Sequence, residues 1–222
     1  ATYCIIPAEV MELGCLLKYD GRAYYEASLA EPMSCSIGAF NAAYHTKMGV
    51  YTHQMGIKEG GKLAIMAGAG PMGLGALTYA LHRDVRPSMV VVADVNQERL
   101  DRAADLFPPQ EAAKDGIELH FVNTGNYDDP VAELMRISGG TGYDDVLCYA
   151  PVASVVTQSS AILGRDGCLN FFAGPTDNQF SAPINFYDVH YNSTHVMGTT
   201  GGNTDDMIES LKLTAEGRIN PA

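Results

Sequence analysis

An apolar run that breaks into a glycine turn is the feature that most constrains this chain. It predicts a strand over 62–68 and a helix over 71–82. Gly68, Gly70 and Gly73 form the pattern G-x-G-x-x-G, in which the first glycine allows a tight turn, the second lets a pyrophosphate approach the backbone, and the third lets the helix pack closely on the strand. The stretch predicts a nucleotide-binding site, although a glycine-rich turn in an ordinary α/β protein has the same pattern.

A second apolar run, residues 89–94, ends in the carboxylate of Asp94, 21 residues after Gly73. An acidic side chain in this position can hydrogen-bond the hydroxyls of a ribose. No arginine adjoins Asp94 to neutralise a 2′-phosphate, and Arg99 stands a helical turn further on. We therefore expect NAD rather than NADP as the cofactor.

From residue 62 onward, predicted strands alternate with predicted helices across short connections, which favours a doubly wound parallel sheet over a barrel or sandwich. The predicted strands are 62–68, 89–94, 118–123, 145–150, 168–173 and 195–199, and the predicted helices are 71–82, 97–107, 130–137, 153–163 and 205–215. Two mononucleotide-binding halves require six strands in this order. We predict an α/β Rossmann fold, a six-stranded parallel sheet with helices on both faces.

The N-terminal part has a weaker pattern. Residues 1–30 lack a clear hydrophobic period, which predicts an irregular or short-stranded lead-in. A proline just inside the start and apolar residues at helical spacing then predict an amphipathic helix over 31–44. Glu31 lies at its N-terminus, where the positive end of the helix dipole favours a carboxylate even without another role.

Ligands of a doubly wound sheet bind beyond the carboxyl ends of its strands, so the residues that follow each strand are candidate binding residues. Small residues recur there, which suits a flat ring lying against the backbone, although ordinary turns favour the same residues. The candidates are Gly70, Pro71, Met72 and Gly73 after the first strand, Asp94 after the second, Ala150 after the fourth, Ala173 and Gly174 after the fifth, and Thr199 after the sixth.

The net charge of −12 argues against nucleic acid and anionic membrane surfaces as partners, since both would repel the chain at long range. The sequence has neither an apolar run of about 18 residues nor an N-terminal secretion signal, so we expect a cytoplasmic protein. The five cysteines contain no C-x-x-C pair, and the six histidines lack metal-binding spacing. The residues by themselves indicate a cofactor site but no catalytic constellation.

Six motifs occur in the same order as in a known enzyme family. They are Glu31-Pro-Met-Ser, Gly68-Ala-Gly-Pro-Met-Gly-Leu-Gly, Arg99-Leu after the acidic end of the second strand, Gly139-Gly-Thr-Gly-Tyr-Asp-Asp, Gly164-Arg-Asp-Gly-Cys-Leu and Met197-Gly-Thr. In this order the chain resembles the zinc-dependent medium-chain dehydrogenase/reductase superfamily, and within it the sorbitol dehydrogenase-like polyol branch. The stretch Ala173-Gly-Pro-Thr-Asp-Asn is similar to sorbose-1-phosphate reductase-like members.

The resemblance implies that hydride passes between NAD and a sugar alcohol or (phospho)ketose, while zinc acts as a Lewis acid on the substrate oxygen. It makes Glu31 a carboxylate at or beside the catalytic zinc. It assigns the pyrophosphate to the glycine turn and the adenosine ribose to Asp94. The cofactor-binding residues that it implies are Gly68, Gly70, Pro71, Met72, Gly73, Asp94, Arg99, Ala150, Ala173, Gly174 and Thr199.

The family's GroES-like catalytic domain, which supplies the other zinc ligands, has no counterpart in this sequence. We therefore expect residues 1–30 to belong to an interdomain region and residues 31–222 to form an NAD-binding domain that has no turnover alone. The resemblance also implies a homodimer or homotetramer that pairs the edge strand 195–199 with its copy.

Two other functions would give a similar sequence pattern. A methyltransferase that uses S-adenosylmethionine also has a glycine turn and an acidic residue after its second strand, but its sheet has a late antiparallel hairpin. A non-catalytic domain that senses NAD and controls association would carry the same cofactor site.

Overall fold

The computed structural model describes residues 3–47 and 49–220. At its centre is a parallel sheet of six strands, and a two-stranded hairpin precedes this sheet in the chain. Helices cover both faces of the sheet. The predicted doubly wound α/β fold is therefore confirmed.

The N-terminal lead-in is mostly irregular. It contains a short helix, α1 (Ala8–Glu12), and a 3₁₀ helix (Tyr24–Leu29) that runs directly into α2 (Ala30–Ala42). Residues 3–30 contain no strand. Of the two predicted alternatives, the structure therefore has the irregular lead-in and not the short-stranded one.

The helix predicted over 31–44 is α2, in which every residue from Met33 to Phe40 is buried. The helix ends because Ala43 adopts an extended backbone, with φ −55° and ψ 152°. The chain then forms β1 (Tyr44–Lys47), which pairs antiparallel with β2 (Val50–Met55). This hairpin was not predicted, since every residue of β2 is exposed and no hydrophobic alternation marks the strand.

The strands of the parallel sheet lie close to the predicted apolar runs. They are β3 (Lys62–Met66), β4 (Met89–Asp94), β5 (Glu118–Asn123), β6 (Tyr143–Cys148), β7 (Leu163–Phe171) and β8 (His195–Gly198). Their order across the sheet is β5-β4-β3-β6-β7-β8, and all neighbours are parallel. The sheet of the described residues thus lacks the antiparallel end of a methyltransferase, and the order of connections reverses between β3 and β6.

The helices that follow α2 alternate with these strands. They are α3 (Pro71–His82), α4 (Gln97–Leu106), α5 (Pro109–Lys114), α6 (Pro130–Ile137), α7 (Ala153–Ala161), α8 (Phe186–Tyr191) and α9 (Thr204–Ala215), with a further 3₁₀ helix at Thr124–Asn126. The helices α5 and α8 were not predicted, because six residues are too few to show a hydrophobic period. None of the described helices is both long and apolar enough to cross a membrane.

Two strands differ most from the prediction at their ends, while β3 and β8 each end one or two residues earlier than predicted. The strand predicted over 145–150 is β6, which begins at Tyr143 and ends at Cys148. The strand predicted over 168–173 is β7, which begins earlier because Gly164 to Gly167 continue the strand with a register shift opposite β6. Within this irregular part Asp166 has a φ of +60°, a backbone conformation that an aspartate adopts only rarely.

The core has two layers, because successive side chains of a strand point to opposite faces of the sheet. Leu63 and Ile65 pack with buried side chains of α2, α3 and α9 on one face. Ala64 and Met66 pack with α6 and α7 on the other. All four of these β3 side chains are at most 2% exposed, so the strand that enters the glycine turn is fixed on both sides.

Candidate functional site

The glycine turn joins the end of β3 to the start of α3, and its three glycines are in different surroundings. A Cβ atom added to Gly68 would lie 2.6 Å from the carbonyl oxygen of Ile65, and one added to Gly73 would lie 2.1 Å from the carbonyl oxygen of Gly68. A Cβ atom added to Gly70 would meet nothing within 4 Å. Two glycines therefore allow close backbone packing, and the one between them borders open space.

The first turn of α3 faces this open space. Pro71 is the first residue of the helix and has no N–H group, which leaves the N–H groups of Met72 and Gly73 without partners inside the helix. These donors and the positive end of the helix dipole make the turn a binding site for an anion.

Asp94 links the glycine turn to the end of β4. Its Oδ2 accepts a hydrogen bond from the N–H of Ala69 at 3.1 Å. Its Oδ1 accepts from the N–H groups of Val95 at 2.8 Å and Asn96 at 3.0 Å. The carboxylate is fixed by backbone donors from both turns, and Oδ2 keeps acceptor capacity because it has two lone pairs and accepts only one of these hydrogen bonds.

The predicted residue Arg99 lies in the first turn of α4, after the N-cap Asn96, whose side chain accepts a hydrogen bond from the N–H of Arg99 at 3.0 Å. The Arg99 side chain is exposed. The structure therefore places it on the surface beyond the carboxyl end of β4, one helical turn from Asp94.

The predicted residues of the second half of the sheet follow β6, β7 and β8 at the same edge. Ala150 is half-buried, Ala173 is buried, Gly174 is exposed and Thr199 is half-buried. Thr199 Oγ1 lies 3.3 Å from the amide nitrogen of Asn170, a buried residue of β7. Since all strands are parallel, these residues and the glycine turn lie at the same carboxyl edge, where a doubly wound sheet has its ligand-binding crevice.

Two aromatic residues that sequence reasoning missed lie at this edge. Tyr149 follows β6, and its ring contacts that of Phe172, which follows β7, at a centroid distance of 4.6 Å. The N–H of Tyr149 donates to the carbonyl of Met66 at 3.0 Å, next to the point where the sheet order reverses. Burial raises the pKa of the Tyr149 hydroxyl, so this group stays neutral. In the sequence, each of these aromatic residues directly precedes an alanine that was predicted to bind the cofactor, Ala150 or Ala173.

Glu31 lies in the first turn of α2, with an exposed side chain. Its Oε1 accepts a hydrogen bond from the Sγ of Cys35 at 3.3 Å. Burial of Cys35, together with this hydrogen bond, raises the pKa of the thiol. Within residues 3–47 and 49–220, no three His, Cys, Asp or Glu side chains come together to hold a metal ion.

A groove of about 900 Å³ connects the start of α2 with the start of α3, and it is lined neither by Glu31 nor by the three glycines of the turn. Pro32 and Met33 line it next to Pro71 and Met72, and it continues along α3 towards Ile219. The residues that follow Glu31 therefore face the same groove as the start of the anion-binding helix.

A second polar cluster lies at the opposite, amino edge of the sheet. His45 Nε2 is 3.2 Å from Asp145 Oδ1, and His45 Nδ1 is 3.0 Å from the carbonyl oxygen of Asp166. Asp166 also accepts hydrogen bonds from Thr46 Oγ1 at 2.7 Å and from His195 Nε2 at 2.8 Å. This network joins the hairpin to β6, β7 and β8, and it is remote from the cofactor edge.

The network changes the pKa values of two of its side chains, His45 and Asp166. Burial alone would lower the pKa of His45, but the hydrogen bonds and charges of Asp145 and Asp166 outweigh burial and raise it. Burial alone would raise the pKa of Asp166, but hydrogen bonds from His195 and Thr46 hold it below its ordinary value. Both groups therefore favour their charged forms.

Comparison with known proteins gives matches along the whole chain. The model of a family described as zinc-binding dehydrogenase matches residues 71–216. Mannitol-1-phosphate 5-dehydrogenase of Aliivibrio fischeri is 58% identical over 100% of this chain and 52% of its own length. L-sorbose 1-phosphate reductase of Klebsiella pneumoniae is 46% identical over 100% of this chain and 53% of its own length. The chain thus spans about half the length of these curated relatives.

Among solved structures, the 2R,3R-butanediol dehydrogenase of Bacillus subtilis matches with a TM-score of 0.69 and 22% identity. The match covers 89% of this chain and 48% of that protein. At this identity it supports the fold alone.

Proposed function

Because this chain belongs to the zinc-binding dehydrogenase family, we propose that it forms the cofactor-binding half of an oxidoreductase. The reaction is hydride transfer between NAD and a sugar alcohol or a sugar phosphate. The observation that carries the proposal is the open space at Gly70, beside a helix N-terminus and between two glycines that are packed against backbone.

The pyrophosphate of the dinucleotide would occupy the space at Gly70. Gly68 and Gly73 keep the turn tight, and the N–H groups of Met72 and Gly73, behind Pro71, would donate to the phosphate oxygens. The net charge of −12 does not prevent this, because the donors are backbone groups at close range.

The adenosine ribose would hydrogen-bond Asp94, with Arg99 bordering the adenosine from the surface. Three backbone N–H groups fix the Asp94 carboxylate, so it could not move away from a 2′-phosphate and would repel it. This geometry favours NAD over NADP. Ala150, Ala173, Gly174 and Thr199 would flank the nicotinamide half along the crevice.

The substrate proposal follows the names of the two relatives described above, which act on mannitol 1-phosphate and L-sorbose 1-phosphate. When bound, zinc would supply a Lewis acid that polarises the substrate oxygen. Glu31 fits a place beside this metal, because its carboxylate is exposed and its Oε2 accepts no hydrogen bond from the described residues. The other ligands would come from outside the described residues.

The domain arrangement is part of this proposal. Residues 1–30 would belong to an interdomain region and residues 31–222 would form the NAD-binding domain. By itself the chain would bind NAD without turnover, and zinc-dependent oxidation of mannitol 1-phosphate by residues 1–222 alone would contradict this. We place the protein in the cytoplasm, which is consistent with five cysteines that are all free thiols.

Titration calorimetry of the chain with NADH tests the cofactor proposal. We expect saturable binding of NADH, at least about tenfold weaker binding of NADPH, and no binding of S-adenosylmethionine. Gly70→Val should weaken NADH binding by about tenfold or more, because its side chain would occupy the space for the pyrophosphate. A Gly70→Val variant that kept the thermal midpoint and the NADH affinity of the wild type would refute the proposal.

The oligomer proposal concerns the open edge of β8. This strand ends the sheet, and Val196 on it is 42% exposed, so a second copy could extend the sheet across a two-fold axis. We expect Val196→Lys to shift the sedimentation mass from a dimer or tetramer towards a monomer. The control is His120→Lys on the opposite edge strand β5, which should leave the mass unchanged. A wild-type chain that sedimented as a monomer at high concentration would contradict the proposal.

A further inference from the structure

The contact between Cys35 and Glu31 is the only hydrogen bond that the described chain makes to the Glu31 carboxylate. The two residues are four positions apart in α2, so their side chains lie on the same face of the helix. The partner roles are fixed, because an ionised carboxylate only accepts and the thiol must therefore donate. Cys35 thus holds one oxygen of Glu31 and leaves the other to a ligand.

Cys35 is itself held in place by burial, so its thiol is a fixed although weak donor to Glu31. Cys35 is only 9% exposed, whereas Glu31 is exposed. The neighbouring residue Ser34, 1% exposed, donates its hydroxyl to the carbonyl oxygen of Glu31 at 2.6 Å. Both the main chain and the side chain of Glu31 are therefore held by buried groups one turn further along the helix.

A glutamate has three side-chain torsions, and an exposed glutamate that binds a metal must restrict them at the moment of binding. A hydrogen bond that already fixes one carboxylate oxygen reduces that entropy loss and determines which oxygen is presented. Hydrogen-bond partners of metal ligands commonly have this effect.

We propose that Cys35 is a positioning residue, whose thiol holds Oε1 of Glu31 so that Oε2 is presented to the zinc ion. This inference rests on the proposed place of Glu31 beside the metal. It assigns Cys35 no direct contact with the metal or the substrate.

The test measures metal binding rather than activity, in the intact, zinc-loaded protein. Zinc affinity is determined by competition with a chelator, and Co²⁺ replaces zinc for visible spectroscopy. We expect Cys35→Ala to weaken zinc binding by about 10- to 100-fold and to change the cobalt spectrum. Cys35→Ser should stay within about threefold of the wild type, because a hydroxyl also donates to a carboxylate.

The control is Cys168→Ala, which removes a buried thiol from β7 and should leave the zinc affinity unchanged. Glu31→Gln separates this inference from the proposed function. If Glu31→Gln weakens zinc binding and Cys35→Ala does not, the positioning role is wrong while the place of Glu31 stands. If Glu31→Gln leaves the affinity unchanged, the proposed place of Glu31 is itself wrong. Loss of a thiolate-to-cobalt band in Cys35→Ser would make Cys35 a ligand and overturn the donor role.

Discussion

Replacing Gly73 by alanine is expected to lower the free energy of unfolding by about 3 kcal/mol or more. The added Cβ atom would lie 2.1 Å from the carbonyl oxygen of Gly68 and 2.5 Å from its carbonyl carbon. Both are backbone atoms of a tight turn, so no side-chain rotation could relieve the overlap. Either α3 must move away from the end of β3, which disturbs the buried layers on the strand, or the turn must open.

Gly70→Ala is the matched control, because it adds the same methyl group two residues from Gly68 where nothing lies within 4 Å. Its backbone is extended, with φ −84°, which alanine adopts freely. Loss of a glycine N-cap should cost this variant at most about 1 kcal/mol. Urea denaturation of both variants measures the difference, and equal stabilities would show that the turn does not require a glycine at position 73.

The sequence was sufficient to predict the glycine turn because its requirements are local. Ile65 at the end of β3 leaves no room for a Cβ atom at Gly68, and the close approach of α3 to the turn leaves none at Gly73. Both positions must be glycine, so they appear in the sequence at a fixed spacing. The same holds for the buried strands, whose continuous apolar runs identify β3 and β4 to within a few residues. The carboxyl edge then follows from topology, since parallel strands bring their ends together.

Other features could not be predicted because they depend on distant contacts. His45 and Asp145 are a hundred positions apart; Asp145 ends the motif that begins at Gly139, but His45 lies in no motif and nothing in the sequence pairs the two. Their pairing depends on the hairpin, which itself has no hydrophobic alternation. Asp94 was predicted as a ribose ligand, but its hydrogen bond to Ala69 became visible only when the two turns were placed side by side. The structure thus gives a second reason for a carboxylate at this position, which is to accept the N–H of Ala69 and so fix the glycine turn.

Apart from Gly73, the largest loss of stability is expected from substitution of Asp145, which is 2% exposed. Its Oδ1 faces His45 Nε2, and its Oδ2 accepts the N–H of Lys58 at 2.9 Å. Both ring nitrogens of His45 face acceptors, at Asp145 and at Asp166, so the ring must carry two protons to donate to both. Asp145→Ala would leave a buried cation and a backbone donor without this acceptor, and we expect it to cost about 3 to 5 kcal/mol at pH 6.

The cost should depend on pH in a defined direction. A raised pKa of His45 means that the folded chain holds this proton more tightly than the unfolded chain, whose histidine has the ordinary value of 6.5. The stabilisation is therefore complete below that value and is lost as the pH rises through the raised one. The lowered pKa of Asp166 acts oppositely, with a contribution present above its ordinary value of 3.8 and lost as the pH falls through the lowered one. The network should stabilise the fold most in weakly acidic solution.

Urea denaturation between about pH 5 and pH 9 tests this expectation, because this range brackets the ordinary histidine pKa of about 6.5. The wild-type chain should lose stability as the pH rises, whereas Asp145→Ala should be less stable at pH 6 and change less, because its His45 has lost the partner that raised its pKa. The matched control is His53→Gln, since His53 is an exposed residue of the same hairpin and should follow the wild-type curve. Parallel curves for the wild type and Asp145→Ala would mean that the cluster holds the hairpin through packing and uncharged hydrogen bonds rather than through the charge on His45.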